Sequence, residues 1–502
     1  MMKRSSGVLM HISSLPGPYG IGSFGKEAYR FVDFLVRTRQ TYWQILPLTT
    51  TSYGDSPYQS FSAFAGNPNF IDLDVLKEET WLTTCELEQF KKEVSSDPEK
   101  VDYGQLFKSR REILDKAVAR FVASGGKERS DYQDFVKKES DWLMPYVYYM
   151  TVKESFSLVA FTKWPEDFRK YDHDKVVAHC EEHKEQMDYH LVTQFWFFQQ
   201  WSQLKLYANE QGIKIIGDMP IYVAHDSVEM WTHSELFKVN EEGEPLMVAG
   251  TPPDNFSDDG QYWGNPIYNW DYMKATGYSW WIERMKASFK LYDMIRIDHF
   301  RGFESYWEVP YGAPSSADGH WTKGPGSELF DTLEKALGQL PIIAEDLGFM
   351  TPEVIAMREH TGYPGMKILQ FAFNGDSESD DMPHNYDANT VAYVGTHDNE
   401  TGRGHYEDTC SQKERDQADH YLNRQEGESP VHAYHRGIAS SVSRLAIYTM
   451  QDLLNLDNRA RMNEPSTIGG NWQWRMREDA ITKEVEDDLL DLTLTYYRAR
   501  FE

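Results

Sequence analysis

The chain has 502 residues, 40% of them apolar, and a formal net charge of −28. That length allows a large core and about two to four domains, or one large barrel with insertions. The charge repels phosphate backbones and anionic membrane surfaces, which argues against nucleic acid and membranes as partners and leaves neutral substrates open.

The 15 Trp and 30 Tyr supply many flat apolar faces with polar edges, a chemistry that suits sugar rings. Cys85, Cys180 and Cys410 match neither a metal spacing nor a disulfide framework, so the expected compartment is the reducing cytoplasm. Met1 to Leu15 holds only a broken apolar run and does not read as a signal peptide. No apolar run reaches the length of about 18 residues that a membrane span needs. The sequence carries no signal for an oligomeric state.

Eight apolar, β-branched runs bounded by Gly, Pro or polar residues are expected strands. They are Val8–Ser13, Tyr42–Leu48, Ile213–Ile221, Asp293–Phe300, Pro341–Leu347, Met366–Phe373, Thr390–Asp398 and Leu445–Leu453. Helical periodicity fills the gaps at Glu27–Arg39, Gln194–Gln211, Tyr272–Lys290, Ser327–Leu337, Pro352–Glu359 and Gln412–Val442, and returns at Ile481–Arg500. Eight alternating units predict an α/β fold, a (β/α)8 TIM barrel spanning residues 1–502.

Three connections are too long for barrel loops, so inserted subdomains are expected after strands 2, 3 and 4. Residues 70–190 predict a mainly helical subdomain, with helical faces over Leu106–Ala123 and Tyr132–Met150. Residues 222–271 predict a hairpin, Leu236–Asn240 with Leu246–Ala249, and a lid loop. Residues 301–326, rich in Gly, Pro and Ser, are expected to be irregular, with Arg301 and Glu304 closing the turn after strand four. All three follow strand C-termini, the face where barrel enzymes build their sites.

Polar residues gather at those ends. Strand three ends in Asp218, strand four in Arg296-Ile297-Asp298-His299, strand five in Glu345-Asp346, and strand seven in His397-Asp398. A barrel needs none of these for packing, and ionised groups are costly to bury unless paired or functional. Retaining glycoside transfer uses such a set: one carboxylate attacks the anomeric carbon, and a second protonates the leaving oxygen. Neighbouring strands offer Asp298 as nucleophile, with Arg296 on the same face to keep it ionised. Glu345 follows Ile342-Ile343-Ala344, whose desolvation raises its pKa as a general acid requires. Asp398 could bind sugar hydroxyls and steady the transition state. A metal site drawn from His11, Asp218, His299, His397 and Asp398 is the competing reading, against which stand Arg296 beside the carboxylate and the lack of a His-x-His on strand one.

These motifs run nearly end to end. They include Leu15-Pro16-Gly17-Pro18-Tyr19-Gly20, Gly54-Asp55-Ser56-Pro57-Tyr58-Gln59-Ser60-Phe61, Gly217-Asp218-Met219-Pro220, Arg296-Ile297-Asp298-His299-Phe300-Arg301-Gly302, Ala344-Glu345-Asp346-Leu347-Gly348, Gly395-Thr396-His397-Asp398-Asn399 and Gly470-Asn471-Trp472. As a set they resemble the 4-α-glucanotransferases of the amylomaltase (disproportionating enzyme) family, glycoside hydrolase family 77. The resemblance implies Asp298 as nucleophile, Glu345 as acid/base and Asp398 as transition-state stabiliser. It implies substrate binding by Tyr58, Asp218, Trp263, Arg296, His299, His397 and Asn471. It implies no metal and no organic cofactor, with malto-oligosaccharides and α-1,4-glucans as substrates. A retaining α-glucan hydrolase and a catalytically silent glucan-binding scaffold are the alternatives.

One departure from the family pattern is visible: Pro465-Ser466-Thr467 stands where Pro-Gly-Thr is expected, and serine tolerates φ > 0 less well than glycine. The stretch Gly250–Phe256 is the expected lid. Pro253 stiffens it, Asp254 follows, and Phe256 forms an apolar tip over the site.

Overall fold

The computed structural model describes residues 3–500 apart from 53, 95–96, 254–258 and 377. Twelve strands are present among the described residues. In chain order they are β1 (Ser5–Leu9), β2 (Tyr42–Gln44), β3 (Lys214–Met219), β4 (Met247–Thr251), β5 (Gln261–Pro266), β6 (Met294–Ile297), β7 (Ser305–Pro310), β8 (His320–Lys323), β9 (Ile342–Ala344), β10 (Gly365–Ile368), β11 (Thr390–Tyr393) and β12 (Leu445–Thr449). Eight form a parallel sheet ordered β10-β11-β12-β1-β2-β3-β6-β9. The Ala344 amide donates to the Pro364 carbonyl at 2.9 Å and brings the two ends together as a barrel. All eight expected strands overlap these, so the fold is a (β/α)8 barrel.

Period-two alternation sorts each strand into an inward and an outward set. Leu9, Tyr42, Ile216, Ile343, Met366, Ile368, Val391, Tyr393, Leu445 and Ile447 pack together inside the barrel. Val8, Trp43, Ile215, Ile295, Ile297 and Ala344 belong to the larger core under the helices. Asp218 and Glu345 each lie two residues beyond an inward apolar residue, Ile216 and Ile343, and so point into the same interior one layer higher. Gly217 points outward, and a Cβ there would lie 2.2 Å from the Tyr292 ring, so only glycine lets that ring close over β3.

The strands are shorter than expected at their C-terminal ends, and β1 begins three residues early. Ser5 and Ser6 extend β1 because their polar groups are satisfied: Ser6 Oγ donates to Gln40 at 2.7 Å and Arg498 donates to the Ser5 carbonyl at 3.0 Å. Two expected helices are broken. Tyr272–Lys290 divides into Trp270–Ala275 and Ser279–Leu291, where Gly277 and Tyr278 take positive φ of 66° and 55°. Gln412–Val442 divides into Gln412–Tyr421 and Pro430–Ser440, the second opened by a proline that cannot continue a helix.

Between β2 and β3 the chain is helical, with major helices Tyr103–Ala123 and Ser140–Ser155 packed on Lys184–Glu210. That last helix runs 27 residues without a break. It carries the chain through residue 190 and back to the barrel as one rod. Trp196 and Trp201 are buried along it, and the Trp201 indole donates to the Leu291 carbonyl at 3.1 Å.

The stretch 301–326 is not irregular. It supplies β7 and β8, which complete a four-stranded antiparallel sheet ordered β5-β4-β7-β8. Tyr306, Trp307, Val309, Trp321 and Thr322 are good strand residues, while most of the Gly, Pro and Ser lies in the turn between the strands and in the segments that flank them. The expected hairpin turn is present, with the Asn240 amide donating to the Glu244 carbonyl at 2.9 Å. Its second arm, β4, nevertheless finds its main partners in β5 and β7.

Candidate active site

The catalytic candidates sit on the last rungs of the ladder. The Asp298 amide donates to the Met219 carbonyl at 3.0 Å, and the Glu345 amide donates to the Ile297 carbonyl at 3.1 Å. Both carboxylates therefore stand on backbone held by neighbouring strands, which fixes their positions better than a free loop would.

Arg296 organises the floor. Its Nη1 donates to both Asp218 oxygens and to Asp298 Oδ1, each at 2.9 Å. Arg296 and Asp218 are buried, while Asp298 keeps 30% of its side chain open to the cleft. Burial pushes the Asp298 carboxyl up to about 6, with Arg296 pulling against that rise. Arg296 is thus shared between two carboxylates and lowers Asp298 less than a dedicated partner would.

Glu345 is fixed by two amides. His299 donates to Oε2 at 2.7 Å, and Leu347 donates to Oε1 at 2.8 Å. His299 turns its amide onto Glu345 by adopting a left-handed conformation, φ 54° and ψ 47°, which is uncommon for a non-glycine residue. Burial, then the negative charge of Asp298, raises Glu345 to about 7. The His299 ring is pushed down to about 3 by burial and then by Arg301, so it stays neutral. Trp263 packs its ring against His299 edge-to-face, with centroids 4.8 Å apart.

Asp398 lies opposite. His397 Nε2 is 3.2 Å from Asp398 Oδ2, and the Asn463 side-chain amide donates to Oδ1 at 2.7 Å. Burial opposes the Asp398 charge, but His397, Asn463 and Arg296 outweigh it and hold the carboxyl well below the usual range. His397 is correspondingly raised: burial lowers it, and Asp398 more than compensates. The Tyr58 hydroxyl joins the halves, donating to Asp218 Oδ2 at 3.1 Å and lying 2.8 Å from His397 Nε2. Its ring stacks on His397 at 5.4 Å.

Tyr58, Asp218, Arg296, Asp298, Glu345, His397 and Asp398 therefore share one connected cleft, with Trp263 and His299 on its wall. Asn471 stands apart from that network. Its carbonyl oxygen accepts from the Glu464 amide at 3.0 Å and its Nδ2 donates to Thr467 Oγ1 at 3.0 Å, so it ties the 464–471 loop to itself. Pro253 is exposed just beyond β4, and Asp254 and Phe256 lie outside the described residues. Ser466 sits at φ 66°, the left-handed region where glycine was expected.

Three residues that touch this network had no role assigned from the sequence. Asn463 and Arg461 hold Asp398 through its carboxylate and its carbonyl, the latter at 3.0 Å. Trp472 packs against Tyr58 at 5.7 Å and His397 at 6.0 Å. The tryptophan was within the Gly470-Asn471-Trp472 motif, whereas Asn463 had no distinguishing signal. His11 accepts the Leu46 amide at 3.2 Å and falls to about 3 through burial and His397, which makes it a neutral structural acceptor. Among the described residues, no group of three or more His, Cys, Asp or Glu is placed to hold a metal ion.

Comparisons with known proteins agree on one family. The glycoside hydrolase 77 family model, described as 4-alpha-glucanotransferase, matches residues 10–482. A 4-alpha-glucanotransferase of Streptococcus pneumoniae is 56% identical over 499 residues, covering 99% of this chain and 98% of the relative. One from Clostridium butyricum is 48% identical, covering 97% and 100%. Among solved structures, an amylomaltase from Streptococcus agalactiae in complex with acarbose superposes with a TM-score of 0.97 at 47% identity, covering 99% of this chain and 100% of that one. A match of this length and identity, on a barrel with this carboxylate cleft, places the chain in the 4-alpha-glucanotransferase family.

Proposed function

We propose that the protein transfers α-1,4-glucan segments between malto-oligosaccharides by double displacement, with Asp298 as nucleophile and Glu345 as acid/base. The observation that carries this reading is the pair of carboxylates on adjacent strand ends, one paired with Arg296 and one held protonatable by burial. In the first step an Asp298 oxygen bonds to the anomeric carbon as the glycosidic C–O bond breaks, and the Glu345 proton passes to the leaving oxygen. In the second, an acceptor hydroxyl returns its proton to Glu345 while its oxygen displaces Asp298. Asp398, held ionised, is positioned to stabilise the positive charge that develops on the sugar. Asp218, Arg296, His299, His397, Tyr58, Trp263 and Asn471 are read as substrate-binding, and Pro253, Asp254 and Phe256 as the lid that excludes water.

Helices between β2 and β3, over 70–190, are read as an inserted subdomain beside the cleft, with 222–271 and 301–326 as further insertions. A cytoplasmic setting fits the free Cys85, Cys180 and Cys410, and among the described residues no helix is long and apolar enough to cross a membrane.

Incubation with maltotriose should yield glucose together with a ladder of longer oligomers. Glucose and maltose alone would mean hydrolysis, and no change would mean a binding scaffold. The same assay run across pH should give a bell-shaped kcat/KM. Its acid limb falls at about 6, where Asp298 takes up a proton, and its alkaline limb at about 7, where Glu345 loses one. A profile that stays flat on the alkaline side would remove Glu345 from the acid role.

A further inference from the structure

We infer that Trp321 and Phe349 form an outer glucan-binding shelf, on the side of the cleft where the acceptor chain arrives. This rests on the transferase reading above and extends it to a site outside the catalytic network.

Both rings are exposed to a degree unusual for large aromatics, Trp321 at 38% and Phe349 at 69%. Neither is loose. The Arg301 guanidinium lies over the Trp321 ring at 3.9 Å from its centroid, and also over Phe349 at 5.9 Å. Arg301 itself is buried and doubly anchored. Its Nη1 donates to the Phe349 carbonyl, and its Nη2 donates to Ser305 Oγ at 3.0 Å. From the adjacent strand Trp307 meets Trp321 edge-on at 5.3 Å, and its own indole donates to the Ser316 carbonyl at 2.8 Å. One face of Trp321 is thus covered by a cation, and a second indole packs across it at a steep angle. The ring is held rigid, so a ligand meets a preformed surface and little side-chain entropy is lost.

Position selects the ligand. Arg301 is the third residue after Asp298, in the short 3-10 turn Phe300–Phe303 leading off β6. Phe349 is the fourth residue after Glu345, so its Cα is at most about 14 Å from that of Glu345. The shelf therefore hangs from the same two strand ends that carry the catalytic pair. The leaving segment and the acceptor both exchange a proton with Glu345, so a chain extending from that carboxylate along its own loop reaches Phe349 and then Trp321. A glucose ring presents an apolar face of C–H groups to such a plane and hydroxyls around its rim. Lys323 lies two residues beyond Trp321, on the same face of β8, with 72% of its side chain exposed and paired to Glu304. It supplies a polar rim within reach of those hydroxyls. A polyanion is disfavoured by the net charge of −28, whereas a neutral oligosaccharide is not.

Among the described residues, the other exposed large aromatics have no cation over the ring. Tyr497, 75% exposed, neighbours Arg498, whose guanidinium donates to the Ser5 carbonyl at the start of β1, so it lies at the opposite mouth of the barrel. It serves as the control.

The test compares acceptors of two lengths, glucose and maltohexaose, with maltotriose as a fixed donor. Trp321→Ala and Phe349→Ala should each raise the KM for maltohexaose about 3–10-fold, leave the KM for glucose within about twofold, and leave kcat unchanged. Trp321→Phe should recover most of the loss, and Tyr497→Ala should behave as the wild type. Equal effects on both acceptors, or no effect on either, overturn the shelf. Failure of the wild type to make longer oligomers from maltotriose would instead sink the transferase reading, so the two failures are distinguishable. Phe349→Ala alters an exposed ring and keeps the backbone carbonyl that Arg301 holds, so a folded variant is obtained even if Trp321→Ala proves unstable.

Discussion

Asp298→Asn should lower transfer by about 10⁴-fold or more, which corresponds to at least about 5.4 kcal/mol of barrier. The carboxamide is isosteric but is not a nucleophile, so the covalent step is lost. The fold should survive, because the substitution leaves Arg296 well compensated. Its Nη1 keeps both oxygens of Asp218 at 2.9 Å, and the oxygen of the introduced carboxamide could still accept from it. Removing one partner of a buried pair is severe when it strands a charge, and here a second carboxylate prevents that. The variant should therefore unfold near the wild-type temperature and still bind maltohexaose in a calorimetric titration. Maltotriose turnover within tenfold of wild type would refute the assignment of Asp298 as nucleophile.

Glu345→Gln should lower turnover of malto-oligosaccharides by about 10²–10⁴-fold. What separates it from Asp298→Asn is its dependence on the leaving group. A maltosyl fluoride donor needs no proton at the departing atom, so its first step should recover towards the wild-type rate. The second step still lacks a base for the acceptor hydroxyl, and the glycosyl-enzyme should accumulate as a burst of fluoride. Azide, which carries no proton to remove, should then release it as a glycosyl azide. A Glu345→Gln enzyme equally impaired with fluoride and maltotriose would point to a positional role alone. The arrangement favours the acid/base role because two amides, His299 and Leu347, fix both oxygens while burial and Asp298 raise the carboxyl to about 7, so that it can both give and take a proton near neutral pH.

Much of this site follows from local pattern. A strand interior alternates, so Asp218, Arg296 and Asp298 had to point the way Ile216 points, and Glu345 the way Ile343 points. Ionised side chains in a barrel interior need partners or a purpose, and that requirement alone marked four strand ends. Eight βα units set the architecture for the same reason: the change from period two to period 3.6 is written residue by residue. The helix breaks at Gly277 and before Pro430 were visible as residues, but their effect depended on the helices being anchored on either side.

Contacts between distant segments were not legible in the same way. Asn463 reaches Asp398 across 65 positions, and nothing in its neighbours distinguishes it from a surface asparagine. The 301–326 stretch looked irregular because its composition was averaged over strands, turn and flanks, while in the structure β7 pairs with β4 and β8 pairs with β7. The Trp321 ring gains its rigidity from Arg301, 20 positions earlier, through a stacking contact that no spacing encodes. The barrel, the inward carboxylates and the order of the strands that carry them were readable locally, because backbone alternation is a local property. Tertiary structure alone decided which groups share Arg296, which amides hold Glu345, how Asp398 is kept ionised and where an aromatic surface stands rigid. Those outcomes depend on the approach of segments far apart in the chain, and short-range periodicity carries no information about that approach.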